Sequence, residues 1–169
     1  VPTENELPPF DAKSEACALG CVLASVNSSA DGIFEKLKIE HFYDLRHKTI
    51  YRALQALQAD GKHLESPELD IYLRAKKLDT DAGGDGYYLQ LTELIPSRFN
   101  FPTYFEDLED LRTRRAIISD TASMAALARD KAIPHKTLAD AHLRLLSAHA
   151  ETAKKRLPGI RTASELATD

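Results

Sequence analysis

From Pro102 to about Lys131 the chain runs on with no further glycine or proline. A pattern of about 30 residues exceeds the usual globular helix, and few compact folds have room for one. Phe105, Leu108, Leu111, Ile118, Ala122 and Ala125 form a stripe along it, at the spacing that gathers side chains on one helix face. Ile133-Pro134 breaks the pattern. Thr137 with Asp140 reads as a capping box with aspartate in place of the usual glutamate. It opens a second helix that runs to about Lys155 and carries Leu138, Ala141, Leu145 and Ala148; Pro158-Gly159 ends it. Two helices with a short connection predict an antiparallel hairpin. The stretch is rich in alanine, which lets helices approach closely but buries little apolar area per residue. Such a hairpin needs something to cover its apolar face, and its distance along the chain from the compact part favours another subunit. The candidate interface residues are Ile117, Ile118, Leu127, Ile133, Leu138 and Leu145. Burying each large side chain stabilises the contact by about 1.5–3 kcal/mol.

Upstream of this pair nearly every segment also reads as helix. Leu7-Pro8-Pro9-Phe10 leads to Asp11, an N-cap for an apolar helix over 12–26. Gly20 lies inside that helix at a cost of about 1 kcal/mol relative to Ala, which suggests that another backbone passes close by. Residues 27–32 read as a loop, followed by a short helix at Ile33–Leu37. Leu45–Ala59 carries Ile50, Ala53, Leu54 and Leu57 on one face, and Gly61 stands where a left-handed C′ residue belongs. Ser66-Pro67-Glu68 predicts a helix start with Ser66 as the hydroxyl cap. That helix turns Leu69, Tyr72 and Leu73 to the core and ends near Lys77. Gly83-Gly84-Asp85-Gly86 is a turn into a helix over Tyr87–Leu94, closed by Pro96. The expected organisation is an arm at 1–11, a globular subdomain at 12–100, a hairpin at 101–156 and the start of a linker at 157–169. Thr162-x-x-Glu165 there begins a further cap close to the last residue, as expected of a piece of something longer.

The chain has 169 residues, 43% of them hydrophobic, enough for one domain with a real core. Its net charge is −4 and its pI about 5.9, which argues against a protein that grips duplex DNA by itself. Arg112, Arg114 and Arg115, and Lys154-Lys155-Arg156, are the local basic clusters. No apolar run approaches the length of a membrane helix. Cys17 and Cys21, four apart on one helix face, suit packing better than a disulfide and point to the reducing cytoplasm.

Catalytic patterns are missing from the sequence. There is no Gly-x-x-x-x-Gly-Lys-Ser/Thr, because Gly61-Lys62 has no glycine five positions before it. Gly84-Asp85-Gly86 lacks the preceding strand of a dinucleotide site. Among His41, His47, His63, His135, His142 and His149, the last three recur every seven residues. That spacing suits a solvated or subunit-facing surface better than a zinc site. No Gly-x-Ser-x-Gly is present, and the cysteines lack a cation to stabilise thiolate. Glu106, Asp107, Glu109 and Asp110 read as a solvated helix face. Tyr87-Tyr88, Phe99 and Phe101 read as core or hinge anchors. The expectation is a chain with no catalytic, metal or cofactor residues, not an enzyme by itself.

Several stretches, in order, resemble the N-terminal domain of DnaB-type replicative helicases. These are Pro8-Pro9 with Glu15 and Leu19-Gly20; His41-Phe42-Tyr43 with His47 and Ile50-Tyr51-Arg52-Ala53; Gly61-Lys62 before the Leu69–Leu73 helix; Gly83-Gly84-x-Gly86-Tyr87; and Pro96-Ser97 with Asn100 and Tyr104. The likeness covers residues 8–118 and, more weakly, the hairpin to 153. Lys13 and Gly86 depart from the family pattern. The resemblance implies an all-α fold, a compact bundle of about five to six helices followed by a long antiparallel hairpin. It implies hairpins paired between subunits, a trimer of dimers, and a collar that receives the primase or a helicase loader. Single-stranded DNA would be a partner only of the full-length ring. ATP and Mg would belong to a downstream motor domain. Three other readings remain open on the sequence: the helicase-binding domain of a bacterial primase, a helicase loader or replication adaptor carrying the same domain, and, with least weight, a metal-dependent enzyme.

Overall fold

The computed structural model describes residues 7–25, 32–84, 86–94 and 100–156, with side chains to residue 151. Among them the regular elements are all helical: α1 (Ala12–Leu23), a 3-10 turn (Ile39–His41), α2 (Leu45–Ala59), α3 (Ser66–Lys76), α4 (Tyr87–Glu93), α5 (Phe101–Arg129) and α6 (His135–Arg156). The chain divides into two compact units, Val1–Arg114 and Arg115–Asp169.

The first unit is built around α1. Asp11 caps it, its carboxylate accepting the Lys13 N–H at 2.8 Å. Every residue from Ser14 to Leu23 is buried. A helix buried all round must be a core helix, and its small residues (Ala16, Cys17, Ala18, Gly20, Cys21) let neighbours approach. The most extensive of these contacts is with α4. Cys17 and Cys21 are free and buried, and burial pushes the Cys21 thiol up to about 11. The α2 helix spans the predicted residues and buries Ile50, Ala53, Leu54 and Leu57. Gly61 follows at φ 67°. The Gly61 N–H donates to Gln58 O and the Lys62 N–H to Leu57 O, the paired bonds of a Schellman C-cap. Leu69 and Leu73 of α3, Tyr88 and Leu91 of α4, and Phe101 and Leu108 of α5 complete the core, with Tyr72 half-buried.

Local starts and stops differ from expectation at several places. Helix α1 ends at Leu23 rather than residue 26. Residues 32–34 form a single helical turn, and the ordered turn nearest it is Ile39–His41. Glu65, not Ser66, is the N-cap of α3, because its carbonyl accepts the first helical bond, from Leu69 N–H. Ser66 and Pro67 therefore lie in the first turn. The same holds for α6: the Leu138 N–H bonds to Pro134 O, so the helix begins at His135 and Thr137 is already inside it. The loop at 27–31, Pro96, Phe99 and the cap at Thr162 lie outside the described residues.

Candidate assembly interface

Three separated sequence motifs meet in the interior of the first unit. Glu15, fully buried on α1, accepts the Tyr43 N–H at 2.8 Å and the Asp44 N–H at 3.1 Å. Its Oε2 also lies 2.8 Å from Nδ1 of His47, equally buried on α2. The Nε2 of His47 is 2.8 Å from the hydroxyl of Tyr87, the first residue of α4. A carboxylate accepts only, so Nδ1 donates to Glu15. Burial holds the Tyr87 phenol above its usual range, and its hydroxyl shares a hydrogen bond with Nε2 of His47. One hydrogen-bonded chain thus ties α1, the 43–44 segment, α2 and α4. Tyr87 also stacks on the His47 ring, and the Arg46 guanidinium lies 4.8 Å from its centroid while pairing with Asp44. Gly83, at φ 105°, makes room: a Cβ there would stand 2.7 Å from the Tyr87 ring.

A second cluster ties the 3-10 turn to the first part of α5. Buried His41 accepts the Lys38 N–H at Nδ1 and donates from Nε2 to Glu109 at 2.6 Å. Protonating Nδ1 would break the first bond, and burial lowers the His41 pKa despite the carboxylate. Arg112 grips Glu109 with two bonds and, helped by His41, holds it down at about 2. Glu109 was expected on a solvated face and is instead a pinning residue; the partner is 68 positions away, beyond any local pattern. Arg112 and Arg114 are paired with Glu109 and Asp110, so they do not form a bare basic patch. Among the described residues no group of three or more His, Cys, Asp or Glu could hold a metal ion.

In the second unit α5 and α6 are joined by residues 130–134 and run antiparallel, as shown by Asp120 Oδ2 lying 3.0 Å from His149 Nε2. Half-buried Ala116, Asp120 and Met124 on one helix, and Leu138, Ala141, Leu145 and His149 on the other, form the seam. Ile133 in the loop is also half-buried. Other large apolar residues stay open: Ile117 is 43% exposed, Ile118 51%, Leu127 43%, Leu143 61% and Leu146 53%. Of the six candidate interface residues, then, Ile117, Ile118 and Leu127 are exposed, whereas Ile133, Leu138 and Leu145 are partly covered. Leu143 and Leu146 were not singled out from sequence. Ala139, Leu143, Leu146 and Ala150 recur at steps of four, three and four, a second stripe as regular as the first. On antiparallel helices a one-residue step from the seam turns to the same side of the hairpin. Ile117, one beyond Ala116, and Leu146, one beyond Leu145, therefore share a face.

The polar clusters hold elements together, and the apolar excess lies on a hairpin. Among the described residues the regular elements are all helical. Residues 7–110 match the family model of the DnaB-like helicase N-terminal domain. The chain is 26% identical over 113 residues to the replicative DNA helicase DnaB of Haemophilus influenzae, covering 67% of this chain and 24% of that protein. It is 30% identical over 119 residues to that of Pasteurella multocida, covering 70% and 24%. It therefore spans about a quarter of the length of these relatives. The crystal structure of the N-terminal domain of DnaB helicase from Mycobacterium tuberculosis superposes with a TM-score of 0.71 at 21% identity, covering 83% of this chain and 99% of that one. A DnaB-like replicative helicase, solved in a study of its interactions with primase, superposes at 0.67 and 21% identity, covering 82% and 31%. The chain belongs to the DnaB-like helicase N-terminal domain family, the non-catalytic part of these replicative helicases. Glu15, His47 and Tyr87, each within a motif that carries the resemblance, are the three side chains of the buried hydrogen-bonded chain.

Proposed function

We propose that this domain is the collar of a hexameric replicative helicase and does its work by contact. Its hairpin pairs with that of a second subunit, dimers join as a trimer of dimers, and the collar receives a primase or helicase loader. ATP and Mg bind a motor domain elsewhere in the full-length protein, single-stranded DNA is a partner of the complete ring, and the setting is the cytoplasm. Among the described residues no helix is long and apolar enough to cross a membrane. The observation that carries the reading is the row of open apolar side chains on the hairpin: Ile117, Ile118, Leu127, Leu143 and Leu146. Large apolar surface left on a folded domain marks a contact site. The primase part rests on the family and on the related helicase solved for its interactions with primase.

Analytical sedimentation of two neighbouring variants tests the self-association. Leu146→Asp puts a charge on the open face and lowers the association constant while helix content stays. Leu145→Asp puts it in the seam and loosens the hairpin itself, so helical signal falls as well. An unchanged oligomer for Leu146→Asp would remove the hairpin face as the interface. Titration with the C-terminal domain of the cognate primase tests the second contact.

A further inference from the structure

We infer that Asp120 and His149 are a register key for the hairpin: the polar pair fixes which turn of α5 lies against which turn of α6. The Nε2 of His149 is shut off from solvent and faces Asp120 Oδ2 at 3.0 Å, although the two are not aligned as a hydrogen bond. Around the pair the seam is apolar and plain, made of Ala116, Met124, Leu138, Ala141 and Leu145. A seam of alanine, leucine and methionine packs nearly as well after a slip of one helical turn, because small and flexible side chains discriminate poorly between neighbours. The opposed polar pair does discriminate. A slip moves His149 and Asp120 out of each other's reach: Asp120, 39% exposed, stays in water, while the enclosed Nε2 of His149 loses the carboxylate that faces it. Single polar positions within an otherwise apolar helix seam specify register in this way at some cost in stability. Asp120 lies nine residues before the end of α5 and His149 fourteen after the start of α6, away from the five-residue connection at 130–134.

The register has a consequence for assembly, and that consequence alone rests on the proposed collar reading. Exposed Ile117 on one helix and exposed Leu146 on the other turn to the same side of the hairpin, and the alignment of the helices sets how the two rows lie against each other. A one-turn slip displaces the two rows by about 5–6 Å and spoils any two-fold match with a second copy.

Disulfide trapping tests the key without reference to assembly. Met124 and Leu145 each lie four residues from the pair, toward the connection, on their own helices. In the full chain, Met124→Cys with Leu145→Cys reports the native register; Met124→Cys with Ala148→Cys, or with Ala141→Cys, reports a slip in either direction. With Asp120 and His149 present, oxidation links 124 to 145 at least tenfold more than to 141 or 148. In the His149→Leu and Asp120→Leu/His149→Leu backgrounds the helix content holds and the 124–148 or 124–141 link rises to a yield comparable with the native one. The charge-reversed pair Asp120→His/His149→Asp restores the single native link. Native-only crosslinking in both leucine backgrounds would overturn the key and assign the register to the connecting loop. If the key holds while sedimentation of the leucine variants is unchanged, the proposed hairpin interface fails and the key stands.

Discussion

Glu15 is the residue on which the first unit depends most sharply. Replacing it with alanine removes the acceptor for three donors at once: Tyr43 N–H, Asp44 N–H and His47 Nδ1–H. Glu15 and His47 are both fully buried, so water does not stand ready to replace it. A buried donor left without a partner costs about 1–3 kcal/mol. Relaxation around the deletion keeps three such losses from adding in full, and breaking a buried pair from one side costs about 3–5 kcal/mol in total. For a chain of this size that lowers the melting temperature by about 10 °C. Glu15→Gln keeps the volume and one carbonyl oxygen but turns an amide N–H toward one of the donors; its cost is about 1–3 kcal/mol. The assay is urea unfolding followed by tyrosine fluorescence, since the chain has six tyrosines and no tryptophan. Tyr87, at the end of the hydrogen-bonded chain, reports the same network directly. A Glu15→Ala variant within about 1 kcal/mol of the parent, or a Gln variant as damaging as Ala, would refute the claim that this acceptor holds the helices together.

Acid is expected to weaken the fold in two stages. His41 has its folded pKa lowered by burial, so its contribution is complete above about 6.5 and declines as pH falls below that value. Glu109, held at about 2 by Arg112 and His41, contributes above the ordinary carboxylate range and loses that contribution as pH falls toward 2. Urea midpoints between pH 8 and 3 show a descending curve, and Glu109→Gln flattens its acid limb. Lys77 sits in the left-handed region at φ 58°, where an L side chain is strained. Lys77→Gly relieves about 1–2 kcal/mol of that strain, offset by up to about 1 kcal/mol of added freedom in the unfolded chain, so the urea midpoint rises slightly. Gly83→Ala drives a Cβ against the Tyr87 ring and costs about 2 kcal/mol or more; a neutral effect in the same assay would contradict the close approach.

Local signals in the sequence were legible where local physics decides. Asp11 as a cap, the span of Leu45–Ala59 and the left-handed Gly61 each follow from residues within one or two turns. Helix starts at Ser66 and Thr137 were misplaced by one and three residues, because several neighbouring groups compete and the first carbonyl to find its N–H fixes the start. The buried clusters were out of reach for a different reason. Glu15 meets His47 from 32 positions away and His41 meets Glu109 from 68, and no periodicity encodes such a meeting. The all-α class and the hairpin were readable from the unbroken run after Pro102. Which side of α6 faces inward was not: Leu138, Ala141 and Leu145 form one regular stripe, Ala139, Leu143, Leu146 and Ala150 another. Only the neighbouring helix chooses between them.

Sedimentation equilibrium of the unaltered chain, from micromolar to near-millimolar concentration, asks the decisive question. A rising mass that reaches two copies or more, and falls back to one in Leu143→Asp/Leu146→Asp with helix content intact, is what the exposed hairpin face requires. A particle of constant single-chain mass across the range would contradict it.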